Sequence, residues 1–395
     1  MKNVSSIVLI LLLAALTLTG AAAAADDTRT FTDDFGRTVV LPQVVDKVIP
    51  SGNLALSVFI AFDADYLASS GSGFPASAEK YLPKFYAADL PKTGALFASA
   101  NTLNYEEVMR LSKLGVDAYV DVGQAKAGIS ESLDSFTNVT GLAGIFISQN
   151  SLEQIPASYR KIGEILGDTE RGEELYTYFQ GWVDTFNKGL EGKKKVSAAQ
   201  VTAIEGNSIN LMGGFNEAKT LGYQGTPINT LADNIVVAKG NKGTGDEYVM
   251  EEAINILTAA DPEVIFVNGA ADHAYYTKFI EAFPTLSAVK NGRVYEIPAD
   301  CPYIWTSSPF SGWGICGMIW MANILYPDTF SYDVKDKIQE FYRVVIGYNL
   351  TDEEYARLTE KSAAAKSASA KTPAPVFGIA AALIAAGLFA ALRRR

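Results

Sequence analysis

Short apolar runs alternate with longer amphipathic stretches along most of this chain. Runs of this kind, rich in β-branched residues, are typical of buried strands. The stretches between them, such as Tyr105–Leu114, fit helices, so the pattern predicts parallel sheets with helical crossovers. We expect an α/β fold of two doubly wound lobes, each with its ligand edge at the carboxyl ends of its strands. The predicted strands are Lys47–Ile49, Ala118–Val122, Ile145–Ser148, Val201–Ile204, Val264–Val267 and Val294–Ile297.

A long helical pattern separates the two sets of strands. Between Ser151 and Gly192, apolar residues recur at helical spacing, among them Leu175, Phe179 and Phe186. A helix over 169–191 would be about 34 Å long, which is enough to span both lobes, although it would equally suit the core of one lobe. The predicted domains are an N-terminal lobe at 26–150, a connecting helix at 151–195 and a C-terminal lobe at 196–360.

Both ends of the chain carry targeting patterns. Residues 1–25 combine Lys2, an apolar run and a row of alanines, which is typical of a secretory signal peptide. At the other end, an Ala/Ser/Lys/Pro-rich linker at 361–375 leads into an uncharged apolar segment at 376–392, followed by three arginines. These patterns predict a secreted protein on the extracellular face of the cell membrane, anchored by a C-terminal transmembrane helix.

Composition excludes several kinds of chemistry. The net charge of −11 disfavours binding to nucleic acid, and one His with two Cys cannot build a Cys/His zinc cluster or an iron–sulfur cluster. The chain lacks the G-x-S-x-G, H-E-x-x-H and P-loop motifs. We therefore expect no enzyme, no catalytic residues and no resident cofactor or metal. The alternative is an extracellular enzyme that uses carboxylates such as Glu205, Asp246 and Glu247.

Loops that follow the predicted strands are the candidate ligand-binding segments, because the pocket of a two-lobed binder forms where the lobes meet. Their glycines are equally common in plain turns. His273 suits a metal ligand or a solvated surface residue, and the aromatic residues of the last loop suit a stacking wall or the core. The candidates are Ser51, Asn53, Phe74 and Gln124 in the first lobe, and Glu205, Asn207, Met212, His273, Tyr303, Trp305, Ser307 and Ser308 in the second.

Cys301 and Cys316 flank the aromatic loop of the second lobe. A secreted protein folds in an oxidising compartment, so these residues are candidates for a disulfide. Such a bond would stabilise the loop by about 3 kcal/mol. The sequence allows two buried thiols equally well.

Three segments resemble parts of ABC-importer solute-binding proteins of the iron–siderophore and cobalamin type, the helical-backbone class III. Thr30–Pro42 resembles their N-terminal hairpin, and Tyr159–Leu190 resembles their inter-lobe helix with its lead-in. Tyr326–Asp328, with the aromatic residues up to Tyr355, resembles the C-terminal end of archaeal members. Pro375–Gly378, followed by an apolar segment and arginines, is similar to the sorting tails of archaeal surface proteins.

The resemblance implies a rigid two-lobed clamp that captures an iron chelate (siderophore), haem or a corrinoid and delivers it to the permease of an ABC importer. A binding protein for an oxyanion such as tungstate or molybdate, or for nickel or cobalt ions, is the alternative. In the family, a Glu in the first helix of each lobe pairs with arginines of the permease. The corresponding positions here, Ser57 and Cys316, are not acidic.

Overall fold

The computed structural model describes residues 27–97, 101–214, 226–240, 245–299, 301–303, 305–306 and 311–359. The predicted signal peptide (1–25), the linker (361–375), the apolar segment (376–392) and the candidates Ser307 and Ser308 lie outside the described residues. Within these ranges, no helix has the length and apolar character needed to cross a membrane.

The described chain starts with the hairpin expected from the resemblance. Strands β1 and β2 are antiparallel. The buried Asp33 holds the turn, because its carboxylate accepts hydrogen bonds from the side chain and the backbone N–H of Arg37. The same carboxylate accepts the N–H of Phe146 in the third strand of the first lobe, which fixes the hairpin to that lobe. The strands are β1 (Thr28–Thr32) and β2 (Thr38–Pro42).

The first lobe is a parallel sheet of three strands in the order β3-β4-β5, with helices on both faces. Its three predicted strands are confirmed, because each is an apolar run with no polar face, as a sheet covered on both sides requires. The strands are β3 (Val48–Pro50), β4 (Ala118–Gly123) and β5 (Ala143–Ser148). The helices are α1 (Gly52–Phe59), α2 (Pro83–Ala87), α3 (Tyr105–Ser112) and α4 (Ile129–Thr140).

The second lobe contains a mixed sheet, so the prediction of a parallel sheet is wrong for part of it. The three predicted strands β6, β10 and β11 are parallel neighbours, but β7 pairs antiparallel with β6, and β9 pairs antiparallel with the other edge of β7. The cause is local: a tight turn at Gly206 and Asn207 folds β7 back onto β6 as a hairpin. The strands are β6 (Ser197–Glu205), β7 (Ser208–Leu211), β8 (Asp233–Asn234), β9 (Asp246–Val249), β10 (Val264–Asn268) and β11 (Val294–Ile297).

Helices of the second lobe cover both faces of this sheet. Two of them, α11 and α12, follow the last strand and return toward the first lobe. The helices are α7 (Pro227–Leu231), α8 (Met250–Ala260), α9 (Ala274–Ala282), α10 (Ser287–Lys290), α11 (Gly314–Leu325) and α12 (Val334–Ile346).

The connecting segment is a pair of helices, α5 (Gln154–Leu166) and α6 (Thr169–Leu190). The two helices cross very closely, because a Cβ added to Gly163 would lie 2.8 Å from the Cα of Gly172. Helix α6 coincides with the long helix predicted from periodicity, and at 22 residues it is about 33 Å long.

Helix α6 contacts both lobes along its length. Near its start, the Arg171 guanidinium donates to the carbonyl of Ala61 in the first lobe and to that of Val344 in α12. Further along, the ring of Phe179 lies 4.5 Å from that of Tyr159 and 6.4 Å from that of Phe341. One buried apolar cluster continues through both lobes and includes residues of α6, α11 and α12. A shared core of this kind favours a rigid relation between the lobes.

Candidate functional site

Two neighbouring cavities open where the lobes face each other. The larger, about 610 Å³, lies mainly in the first lobe, and we call it the N-lobe cavity. The smaller, about 340 Å³, lies between the lobes, with Phe74 on one side and Asn268 on the other. Asn53 and Tyr303 line both, so the cavities are adjacent, and we refer to the two together as the cleft.

The cleft lies at the carboxyl ends of the parallel strands, as the fold class predicts. Ser51 follows β3, and Asp121 and Gly123 lie at the end of β4, all three lining the N-lobe cavity. From the second lobe, Asn268 ends β10 and Ile297 ends β11, and both line the smaller cavity. Two of the three strands of one sheet and two of the other therefore supply wall residues.

A close backbone crossing shapes the N-lobe cavity at Gly52 and Gly71. Gly71 has a left-handed backbone with φ of 53°, and a Cβ there would lie 2.7 Å from the carbonyl oxygen of Gly52. Gly52 also has positive φ, and its N–H donates to the carbonyl of Gly94. Because of this crossing, the first turn of α1 lies at the cavity. The backbone amides of a first helical turn have no acceptor within the helix.

Two predicted amide side chains supply oxygens without a partner in this wall. The Oδ1 atom of Asn53 and the Oε1 atom of Gln124 are buried and accept no hydrogen bond from any described residue. Both residues line the N-lobe cavity. Buried polar atoms are normally paired, so an unpaired pair beside one cavity indicates that a ligand or water completes them.

Asp121 is a residue of the cavity wall that was not among the predicted site residues. It lines the N-lobe cavity, is 6% exposed and forms no ion pair with any described residue. Burial raises the pKa of Asp121 to about 7, and an interaction with the Ser51 hydroxyl lowers it only in part. The available signal was one acid near the end of an otherwise apolar strand, but only Gln124 was chosen from that loop.

Of the two described aromatic residues Tyr303 and Trp305 in this loop, Tyr303 reaches the cleft. Tyr303 lines both cavities and meets the ring of Phe74 edge to face, with centroids 6.5 Å apart. Trp305 is fully buried in the shared core and lines neither cavity, so the expected stacking wall does not include it. The reason is the close approach of α11: a Cβ on Gly317 would lie 2.2 Å from the Trp305 carbonyl oxygen.

His273 lines neither cavity. Its Nδ1 is 2.5 Å from Oε2 of the fully buried Glu296, which makes it a paired residue of the second lobe's outer layer. No group of three or more His, Cys, Asp or Glu within the described ranges has the arrangement of a metal site.

Three other predicted residues of the second lobe lie elsewhere. Glu205 ends β6 and Asn207 lies in the hairpin turn, where its carbonyl accepts the N–H of Met250. Met212 is buried in the shared core. These residues line neither cavity, because the hairpin turns the chain back at the point where a loop to the cleft was expected.

The disulfide between Cys301 and Cys316 is not formed, since both residues are buried thiols in the structure. Burial raises the pKa of the Cys316 thiol well above its usual value. Cys301 lines the smaller cavity, and its Sγ lies 3.1 Å from the carbonyl oxygen of Tyr303. Ser57 and Cys316 are both fully buried, so neither position can contact a permease.

A scan of protein-family models and a search of curated proteins gave no match. Solved structures do match over most of the chain. An ABC transporter solute-binding protein from Sulfurospirillum deleyianum has a TM-score of 0.71 and 21% identity, covering 84% of this chain and 99% of that one. A periplasmic solute-binding protein from Veillonella parvula has a TM-score of 0.64 and 20% identity, covering 86% of this chain and 99% of that one.

A third similar structure is the molybdate periplasmic binding protein MolA of Haemophilus influenzae, bound to molybdate. Its TM-score is 0.58 at 16% identity, with 82% of this chain and 99% of that one covered. These likenesses show that the chain has the mixed α/β fold of periplasmic solute-binding proteins of ABC transporters, as the sequence resemblance implied.

Proposed function

We propose that this protein captures a small solute between its lobes and delivers it to an ABC importer. The fold supports this proposal, and so does the cleft at the strand ends. The observation that carries it is the set of buried polar groups in the cleft wall, namely the oxygens of Asn53 and Gln124, which have no described partner, and the Asp121 carboxylate, which has no counter-charge. A protein with only a structural role would pair such groups or replace them with apolar ones.

The ligand class that fits best is a metal chelate with hydrogen-bonding groups at its edge, such as a siderophore complex or a corrinoid, with haem as a third member. The wall combines amide oxygens with the rings of Tyr303 and Phe74, and this mixture suits an organic ligand better than a bare ion. Asn and Gln side chains both donate and accept, which matches hydroxamates and amides.

An oxyanion is the second candidate, because one of the similar structures is bound to molybdate. Two observations favour the cleft for such a ligand: the first turns of α1 and α4 border the N-lobe cavity, and Lys126 lines it. Asp121 weighs against it, since an ionised carboxylate in the same wall repels an anion.

The proposed location is the extracellular face of the cell membrane, with secretion directed by residues 1–25. Anchoring would use the apolar segment at 376–392, joined to the lobes by the linker at 361–375, as in archaeal surface proteins with similar tails. Because Ser57 and Cys316 are buried, we propose that the permease contacts other surface groups. Membrane fractionation of the full chain, compared with a chain ending at residue 360, tests the anchor: only the full chain should sediment with membranes.

A ligand panel tests the function. The melting temperature of the purified protein is measured with ferric hydroxamate and catecholate siderophores, haemin, cobalamin, molybdate, tungstate and nickel ions. Binding to the native state raises stability by about 2.7 kcal/mol at a hundredfold excess over Kd. A shift with one class supports the proposal and identifies the ligand class, whereas no shift with any member contradicts it.

Tyr303→Ala separates the two ligand classes, and Tyr176→Ala on α6 is the matched control, because Tyr176 packs against Arg160 and lines neither cavity. A chelate that stacks on Tyr303 should lose roughly 2- to 13-fold in affinity in Tyr303→Ala, since such contacts are worth about 0.5–1.5 kcal/mol. Molybdate affinity should change little in either variant.

A further inference from the structure

We propose that the N-lobe cavity is a subsite for a positively charged ammonium group carried by the ligand, with Asp121 as its carboxylate partner. This inference rests on the proposed function and names the feature of the ligand that the cavity selects. The observation behind it is the gathering of oxygen acceptors in one wall: the Asp121 carboxylate, Asn53 Oδ1 and Gln124 Oε1.

The carboxylate is available to a ligand. Burial raises the pKa of Asp121, and the Ser51 hydroxyl lowers it in part. No described cation contributes to the shift. Lys126 borders the same cavity but forms no salt bridge to Asp121. Tyr119, the neighbouring titratable group, uses its hydroxyl to accept the N–H of Leu96. The carboxylate therefore has a hydroxyl beside it but no counter-charge within the described protein, and a buried charge without a counter-charge is costly.

Donor counting favours an ammonium group. It carries three N–H donors and no acceptor, which matches a carboxylate together with two amide oxygens. The rings of Phe97 and Tyr303 line the same cavity and suit both the charge and the methylene groups next to it.

The test uses two probes that differ in charge alone: the ferric complex of a linear trihydroxamate with a terminal ammonium, and the same complex with that amine acetylated. Affinities are measured by calorimetry on the full chain, on Asp121→Asn and on the surface control Asp184→Asn, whose carboxylate pairs with Gln180 on α6. At pH 8, the wild type and the control should prefer the ammonium form by roughly 10- to 100-fold. Asp121→Asn should bind both forms equally.

The preference should weaken as pH falls toward 6, because the group whose pKa is about 7 then loses its charge. An unchanged preference in Asp121→Asn, or no preference in the wild type, overturns the inference while the proposed function stands. Stabilisation of the wild type by calcium or magnesium ions, absent in Asp121→Asn, would assign the acceptors to a metal ion instead and would also overturn it.

If neither chelate binds the wild type, the proposed function is contradicted. The absence of a counter-charge at Asp121 is then tested by a measurement that needs no ligand. Urea unfolding at pH 8 should show Asp121→Asn to be more stable than the wild type, because the variant removes an uncompensated buried charge. Equal or lower stability would mean that the carboxylate has a partner inside the protein, and the subsite would be abandoned.

Discussion

The two walls of the cleft treat their polar groups differently. In the N-lobe wall, Asn53 and Gln124 carry buried oxygens with no described partner, and Asp121 has no counter-charge. In the wall of the second lobe, Asn268 Oδ1 accepts a hydrogen bond at 3.0 Å from the amide of Gln200, which lies behind the wall. The same amide donates to Thr306 Oγ1 at 3.2 Å, and the unpartnered Oε1 of Gln200 faces neither cavity.

This difference distinguishes polar groups that are free to bind a ligand from polar groups that are held in place by the protein. A buried group without a partner costs about 1–3 kcal/mol, which a ligand can return on binding. Asn268 faces the smaller cavity but is already held by the buried Gln200, so its position is fixed before a ligand arrives. We infer that the first lobe supplies most of the specificity and the second supplies shape.

The largest expected effect is a decrease in the free energy of unfolding as pH rises, and it is caused by Asp121 in the N-lobe wall. The folded-state pKa of Asp121, about 7, is raised above its unfolded value, so its contribution is most favourable below pH 4 and is lost as pH rises to about 7. The loss at pH 8 is at most about 4 kcal/mol. Urea unfolding between pH 4 and 8 measures it, and the difference between the wild type and Asp121→Asn should grow with pH. If the difference in unfolding free energy between the wild type and Asp121→Asn did not change with pH, Asp121 would not be an uncompensated buried charge, and the two walls would not differ in this respect.

Gly71→Ala should damage the backbone of the N-lobe wall. The left-handed φ of Gly71 and its approach to the Gly52 carbonyl leave no room for a Cβ. We expect a loss of about 2–3 kcal/mol in unfolding free energy, together with weaker ligand binding. Gly181→Ala, on α6 with open space around its Cβ position, is the control and should be as stable as the wild type or more stable. Equal effects of the two substitutions would contradict the backbone argument.

Gln200→Ala should weaken the second wall. The substitution leaves Asn268 Oδ1 and Thr306 Oγ1 without their donor, at a cost of about 2 kcal/mol. Ligand affinity should fall less than stability, because Gln200 itself lines neither cavity. Denaturant unfolding and calorimetry on the same protein compare the two quantities. A full loss of binding without loss of stability would assign recognition to this wall.

Asn53→Ala and Gln124→Ala should change stability least, by less than about 1 kcal/mol, because each removes a buried oxygen that has no described partner. Their effect should appear in ligand affinity instead, as a loss of roughly 10-fold. Gln180→Ala, on α6, is the matched control and should have little effect on either quantity, because Gln180 lines neither cavity and bonds to the exposed Asp184. A loss of about 2 kcal/mol or more is roughly the cost of a lost buried hydrogen bond. Such a loss would mean that these side chains have hydrogen-bond partners within the protein.

Local patterns were sufficient for much of the fold. The six predicted strands and helix α6 follow from apolar runs and helical spacing, which depend on neighbours in the sequence. The hairpin between β6 and β7 was missed, although Glu205-Gly206-Asn207 is a turn sequence between apolar runs, because crossovers were expected throughout.

The candidate site was less predictable, since burial of one side chain depends on what packs against it. Tyr303 and Trp305 are two residues apart with similar chemistry, yet α11 covers Trp305 and leaves Tyr303 at the cleft. Asp121 is a candidate because its side chain is buried and has no counter-charge. Neither property is visible in the sequence.

The most direct test of the central claim is hydrogen–deuterium exchange with and without the panel member that raises the melting temperature. The account predicts protection of backbone amides in 51–54 and 121–129, which border the N-lobe cavity, and no change in the β6–β7 turn at 205–208. Protection confined to segments away from the cleft, with 51–54 and 121–129 unchanged, would contradict capture between the lobes.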